Sequence, residues 1–338
     1  MTARARRMLT GAIKFAAAAG VAAYVVLSGR LDIERVALGA DWAYIAAGFG
    51  VLLALPIVGW IRWWVVARAL GVEMGLREAF RIHMIGVFFN SFLFGATGGD
   101  LLKAYYVAAE HGREAKATAV MTVVLDRVFG VVGLFVLLAA ALPVAWAHVP
   151  SEGGVLTMGI AALAIYGGGM AFFLFLAIPR FREGRRAYLA ARSAGTGLGA
   201  KVARVVDEMD EAIQTASAHP AMAAFCVAVS ALGHLVSVVS FHLFAVALGA
   251  GQLPFGKHMV LAPIALGVNG LPILPAGGLG AGEFFSSLAF GVGAGVEKWV
   301  GGTVLFLWRI SLFVPGLVGL AFFVRERPAL APVVPGGR

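Results

Sequence analysis

The chain has 338 residues, of which 60% are hydrophobic and only 13% are charged, and its mean hydropathy is +0.89. These values exclude a soluble globular protein and predict a helical protein that crosses a membrane several times. A net charge of +9 is compatible with nucleic-acid binding, but basic cytoplasmic loops are the ordinary pattern of membrane proteins, so nucleic acid is not expected as a partner.

Two spans are predicted at the start of the chain. The first, 8–27, is interpreted as a retained helix, because about twenty apolar residues are more than a secretory signal core contains. The second covers 42–61. Four arginines then indicate a cytoplasmic segment, and these are Arg62, Arg68, Arg77 and Arg81.

An interrupted apolar stretch follows. The run 82–96 covers about 22 Å as a helix, which is shorter than the roughly 30 Å core of a bilayer. It stops at Thr97-Gly98-Gly99-Asp100, where Asp100 is placed as the N-cap of a new helix. Because the next loop is again basic, we predict a helix, a turn and a returning helix that dip into the membrane from the cytoplasm.

The second half of the chain contains a similar stretch, 267–290. Asn269 precedes the glycine pair 277–278 with the spacing that separates Asn90 from the pair 98–99, and two prolines lie between them. Proline removes a helical N–H donor and so keeps this segment broken. Paired interrupted segments in two halves are typical of transporters with internal repeats.

The remaining spans are predicted at 118–142, 155–178, 221–248 and 299–324. A strongly basic linker, 179–219, carries apolar residues at helical spacing, namely Val202, Val205, Val206, Met209 and Ile213. The linker is either an amphipathic helix attracted to anionic lipid on the inner membrane surface or a plain solvated connection.

The loop charges place both termini in the cytoplasm and run the two halves, 1–142 and 155–324, in opposite directions. We therefore predict an all-α polytopic membrane protein, a single integral membrane domain over 1–338. It is an inverted-topology repeat with about six transmembrane helices and two opposed re-entrant helical hairpins.

Ionisable residues inside apolar spans are the first candidates for a site. Asp126, Arg127 and Arg309 each need a partner or a wet cavity, since burial there costs at least about 2.5 to 3.5 kcal/mol. One hypothesis is that both arginines face a central cavity and hold an anionic group. The alternative is that Arg127 pairs with Asp100 or Glu283, and that Arg309 pairs with the other carboxylate.

The hairpin residues also have two interpretations. Asp100 and Glu283 either cap helices, or titrate or recognise a cationic head group while the amides of the glycine turns bind a phosphate. Asn90 and Asn269 are expected to satisfy freed backbone groups. Lys103 either reaches a phosphate or extends to the inner interface. The candidate substrate-binding residues are Asn90, Gly98, Gly99, Asp100, Lys103, Asp126, Arg127, Asn269, Pro272, Pro275, Gly277, Gly278, Glu283 and Arg309.

Other polar and aromatic residues indicate no further site. His234 and His242 have no third ligand at metal spacing and are interpreted as core or interface histidines. An aromatic belt at span ends explains Trp60, Trp63, Trp64 and Trp299. No catalytic motif is present, so we expect no enzyme activity, no metal and no cofactor.

Motifs along nearly the whole chain carry a family resemblance, and these are Asn90…Gly98-Gly99-Asp100…Lys103, Asp126-Arg127, Leu271-Pro272…Pro275…Gly278-Leu279-Gly280…Glu283, and Arg309. Their order resembles the flippase-like family built around the lysylphosphatidylglycerol synthase transmembrane region. Two features depart from it. Residues 94–97 lack the proline that often precedes the first glycine pair, and Lys103 stands where an arginine is usual.

The resemblance implies lipid translocation across a bacterial inner membrane. In two-domain relatives a cytosolic aminoacyl-transferase makes the aminoacylated lipid, and because no such domain is present in this sequence we expect no synthesis. We predict a lipid flippase or lipid transporter that moves a phospholipid or another anionic or polar-headed lipid. The alternatives are a secondary carrier of a small solute and a non-transporting scaffold, and homo-oligomerisation is left open.

Overall fold

The computed structural model describes residues 32–92, 98–111, 116–146, 178–195, 197–269 and 280–326, with isolated residues between 164 and 176. Within these ranges the chain is helical and contains no β-strand, so the predicted all-α class is confirmed. The predicted first span and most of the predicted fourth span lie outside the described residues. Of the two predicted breaks, the glycine pair 277–278 and Thr97 also lie outside them. Gly98, Gly99 and Asp100 are described and are helical, so the predicted turn at these three residues was wrong.

The described helices in chain order are α1 (Ile33–Gly39), α2 (Trp42–Leu52), α3 (Ala54–Ala69), α4 (Leu76–Phe92), α5 (Gly98–Glu110), α6 (Lys116–Trp146), α7 (Arg182–Ser193), α8 (Leu198–Ala218), α9 (Pro220–Ala247), α10 (Phe255–Asn269), α11 (Ala281–Ala294), α12 (Lys298–Ser311) and α13 (Phe313–Glu326). Among the described residues, four segments are long and apolar enough to cross a membrane, and these are Trp42–Ala69, Lys116–Ala141, Pro220–Ala247 and Lys298–Arg325. They coincide with four of the predicted spans and confirm a multi-pass membrane protein.

Two of these spans are interrupted by proline. A proline lacks the N–H that would bond the carbonyl one helical turn earlier, and its ring crowds that carbonyl. Pro56 therefore ends α2 at Leu52, and Pro315 ends α12 at Ser311. The second and the last span are each built from two helical pieces.

Helices α4 and α5 correspond to the two helical arms of the first predicted hairpin. Near the start of α4, Glu78 Oε1 lies 2.8 Å from Nε2 of His111, and Arg81 forms an ion pair with Glu110 at the end of α5. The two helices therefore run antiparallel. In the second half, α10 and α11 also pack against each other.

A glycine contact holds α4 and α5 together. A Cβ atom added to Gly99 would lie 1.9 Å from the carbonyl oxygen of Gly86, which is far inside van der Waals contact. The backbone N–H of Gly99 also donates to Oδ1 of Asn90 at 2.7 Å. The helix crossing therefore requires glycine at position 99.

The basic linker folds as two packed helices, α7 and α8. The interpretation of the linker as a plain solvated connection was therefore wrong. Arg185 on α7 forms a buried ion pair with Asp210 on α8. The apolar stripe of α8 has two parts, because Ile213 packs into the core while Val202 and Val205 are exposed. Attraction of this helix to anionic lipid stays a prediction.

Three loops that lie on the extracytoplasmic side in the predicted topology meet at one end of the molecule. Nη1 of Arg35 donates to Oε2 of Glu297 at 2.7 Å, and the N–H of Asp41 donates to the carbonyl of Ala247 at 2.9 Å. The loops before α2, after α9 and before α12 therefore share this end, as the predicted topology requires.

Candidate functional site: a buried charge cluster

An ion pair that the sequence did not predict crosses the first half of the molecule. Nε of Arg62 on α3 donates to Oδ1 of Asp126 on α6 at 2.7 Å, and its Nη1 donates to Oγ of Ser230 on α9 at 2.8 Å. The side chains of Arg62 and Asp126 are only 15% and 10% exposed. The predicted end of the second span just before Arg62 was wrong, because the helix continues past it to Ala69.

A second ion pair joins the first hairpin to α6. The guanidinium of Arg127 binds Oδ2 of Asp100, as one of the alternative pairings predicted. Asp100 is buried in the first turn of α5 as its third residue, so its predicted N-cap position was wrong. The Arg127 side chain is 45% exposed although it lies inside an apolar span.

Lys103 lies between the two carboxylates. Its Nζ is 3.7 Å from Oδ1 of Asp100 and 3.9 Å from Oδ2 of Asp126, distances too long for direct hydrogen bonds. The ammonium also lies 5.3 Å from the ring centre of Trp63. Lys103 and Trp63 are 4% and 0% exposed, so the interpretations of an interface lysine and a belt tryptophan were wrong for these two residues.

The five residues Arg62, Asp100, Lys103, Asp126 and Arg127 are called the buried charge cluster below. Three cationic side chains face two carboxylates, and the carboxylates are already held by arginine. A buried cluster of this composition keeps an excess of one positive charge. An anionic group would neutralise that excess.

A separate ion pair lies in the second half of the chain. Nε of Arg309 donates to Oε1 of Glu283 at 2.8 Å, and its Nη2 donates to Oε2 at 3.3 Å. Oε2 also accepts the N–H of Gly280 at 2.7 Å, which satisfies a free donor at the start of α11. One of the two predicted sets of pairings joined Asp100 to Arg127 and Glu283 to Arg309, and the structure has this set.

The other predicted site residues divide into two groups. Asn90 satisfies the backbone N–H of Gly99, as expected, and Gly98 begins α5. The side chain of Asn269 lies outside the described residues, and so do Pro272, Pro275, Gly277 and Gly278. Their substrate-binding roles stay predictions.

The histidines provide no metal centre in the described part of the chain. Nε2 of His234 lies 2.9 Å from the carbonyl of Gly130, which confirms a core histidine satisfied by backbone. His242 packs edge-on against His258, with ring centres 4.8 Å apart. No group of three His, Cys, Asp or Glu side chains that could hold a metal ion occurs among the described residues.

The described part of the chain contains apolar helices long enough to cross a membrane, and paired charges are buried between them. These features are those of a polytopic helical membrane protein. The family model described as the lysylphosphatidylglycerol synthase TM region matches residues 11–319, and the chain belongs to this family. A UPF0104 membrane protein from Methanothermobacter thermautotrophicus is 25% identical over 107 residues, which are 32% of each of the two chains. No solved structure matches the chain.

Proposed function

We propose that this protein is a flippase or transporter that moves an anionic or polar-headed lipid, such as a phospholipid, between the leaflets of a bacterial inner membrane. Both termini lie in the cytoplasm in this proposal. The family links the chain to a membrane region of a lipid synthase, which supports a lipid as the substrate.

The lengths of the hairpin helices support a re-entrant architecture. The described parts of helices α4, α5, α10 and α11 have 17, 13, 15 and 14 residues. At 1.5 Å per residue they cover about 20 to 26 Å, less than the roughly 30 Å hydrocarbon core. We propose that the two pairs dip from opposite membrane faces, within a six-span inverted repeat.

The buried charge cluster carries the proposal. Its excess positive charge lies among apolar helices, and Arg127 presents nearly half of its side chain to accessible space. An exposed guanidinium is unfavourable in hydrocarbon, so this face of the cluster should border water or a polar ligand. A lipid phosphate could accept from Arg127, with the buried Lys103 adding its positive charge nearby, while the acyl chains remain in the bilayer.

A membrane scaffold is the second candidate. The Arg309–Glu283 pair favours it, because a bidentate and mostly buried ion pair ties α12 to α11 without any need for substrate. A scaffold predicts that the charges only join helices. A transport measurement separates the two functions.

The test reconstitutes purified protein in vesicles that carry a fluorescent phosphatidylglycerol in both leaflets. A membrane-impermeant reductant bleaches the outer leaflet, and further bleaching reports exchange. We expect the wild type to accelerate exchange and Arg127→Gln to slow it by about tenfold or more, the loss expected for one charge-assisted contact. Arg68→Gln is the matched control, because Arg68 is exposed at the end of α3, away from the cluster.

Two further results complete the test. Arg127→Lys keeps the charge and should recover part of the rate, which a loss of folding would not permit. Exchange in protein vesicles that equals exchange in empty vesicles would reject lipid translocation and leave the scaffold.

A further inference from the structure

An open cleft lies away from the buried charge cluster, between α3, the first turns of α4 and α13. Its volume is about 570 Å³. The lining residues are Trp60, Leu76, Arg77, Glu78, Phe80, Arg81 and Phe322. No step of the proposed transport uses this cleft.

Three aromatic rings form the apolar wall. Phe80 packs edge-on against Trp60, with ring centres 4.9 Å apart, and against Phe322, with ring centres 6.0 Å apart. Nε1 of Trp60 donates to the carbonyl of Leu76 at 3.1 Å, which fixes the indole against the start of α4. The wall is therefore preformed, and its apolar chemistry suits an acyl chain.

The charges at the rim are not equivalent. Arg81 is paired with Glu110, and Glu78 is paired with His111. Arg77 is exposed, and no carboxylate among the described residues lies within ion-pair distance of it. The rim of an apolar cleft thus presents one guanidinium whose donors are open to an anion.

We propose that this cleft binds one anionic phospholipid from the leaflet that borders the first turns of α4. An acyl chain lies against the aromatic wall, and the phosphate binds Arg77. The inference rests on the membrane placement of the proposed function and not on transport itself. The other rim charges are already paired and the wall is apolar. A lipid therefore fits this cleft better than a polar, water-soluble ligand does.

The test measures quenching of Trp60 fluorescence by tail-brominated phosphatidylglycerol, added to the purified protein in detergent micelles. Subtraction of the Trp60→Phe signal isolates this tryptophan. We expect saturable quenching in the wild type and a midpoint raised about tenfold in Arg77→Gln, which corresponds to about 1.4 kcal/mol. The matched control, Arg68→Gln, removes an exposed arginine that does not line the cleft and should shift the midpoint less than about twofold.

Two competing explanations have distinct outcomes. Equal quenching by brominated phosphatidylcholine, unchanged in Arg77→Gln, would mean unselective contact with surrounding lipid and would overturn the proposal. Displacement by glycerol phosphate, which has no acyl chains, would mean a site for a soluble anion and would also overturn it.

The binding test is independent of the transport test. Arg127→Gln should bind brominated lipid at the cleft like the wild type, because Arg127 does not line it. Normal binding with absent transport would reject the proposed function alone, whereas absent selective binding with normal transport would reject the cleft alone. Arg77 is exposed on a helix surface, so its replacement by Gln should leave the fold intact.

Discussion

At the scale of single residues, Arg62 and Asp126 form the more buried of the two arginine–carboxylate pairs in the charge cluster. Each charge would be expensive inside an apolar span, and each is compensated mainly by the other. Their neighbours differ, however. Without Arg62, the Asp126 carboxylate still has Lys103 at 3.9 Å, whereas without Asp126, Arg62 keeps the Ser230 hydroxyl and only the more distant carboxylate of Asp100.

This asymmetry gives the first stability prediction. Arg62→Leu and Asp126→Leu should each lower the free energy of unfolding by about 3 to 5 kcal/mol, with Asp126→Leu at the upper end. The double variant removes both charges and should recover much of the loss. Reversible unfolding by sodium dodecyl sulfate in mixed micelles measures all three, and strictly additive losses would show that the pair is not coupled.

The ion pairs also show how much of the candidate site could be predicted from the sequence. A carboxylate and an arginine in apolar segments each need a partner, and this argument gave Asp100 with Arg127 and Glu283 with Arg309 as one of two pairings. Choosing between the pairings needed the helix positions. Arg62 was missed because its charge was read as the end of the span, although the segment stays apolar to Ala69.

At the scale of helices, close backbone contact at Gly99 fixes the first hairpin. Gly99→Ala would place a Cβ atom 1.9 Å from the carbonyl oxygen of Gly86, and neither backbone can move without parting α4 from α5. We expect a loss of about 1 to 3 kcal/mol, the usual range for overpacking, near its upper limit. Thermal unfolding in detergent, followed by tryptophan fluorescence, measures the loss.

Gly50→Ala is the matched control for this contact. Gly50 lies in α2, is exposed, and has no atom within 4 Å of an added Cβ. Alanine is a better helix former than glycine by about 1 kcal/mol, so this variant should be as stable as the wild type or more stable. Equal losses for the two alanine variants would show that the contact at Gly99 does not hold the hairpin.

Helix α8 shows where periodicity reaches its limit. The spacing of its apolar residues correctly predicted one apolar stripe on a helix. Periodicity does not indicate what covers a stripe, and here the core covers Ile213 while Val202 and Val205 stay exposed. The ion pair of Asp210 with Arg185, which packs α8 against α7, involves a polar face that the pattern left to solvent.

At the scale of the whole molecule, the order of spans and breaks was accessible from sequence, because apolar length and glycine or proline breaks are local properties. The four described spans and the two helix pairs follow that order. The inverted repeat stays a prediction, since it depends on which membrane face each pair approaches. The loop contacts of Arg35 with Glu297 and of Asp41 with Ala247 agree with it.

Cysteine labelling tests the opposed hairpins directly. Glu73 and Gln252 are exposed and precede α4 and α10, and the one native cysteine, Cys226, is buried and can be replaced by alanine. In this background we expect a membrane-impermeant maleimide to label Gln252→Cys in intact cells and Glu73→Cys only after the membrane is opened, because positive loops stay inside. Labelling of both cysteines in intact cells, or of neither, would place the two hairpins on one face. The proposed inverted repeat, which requires hairpins that enter from opposite membrane faces, would then be rejected.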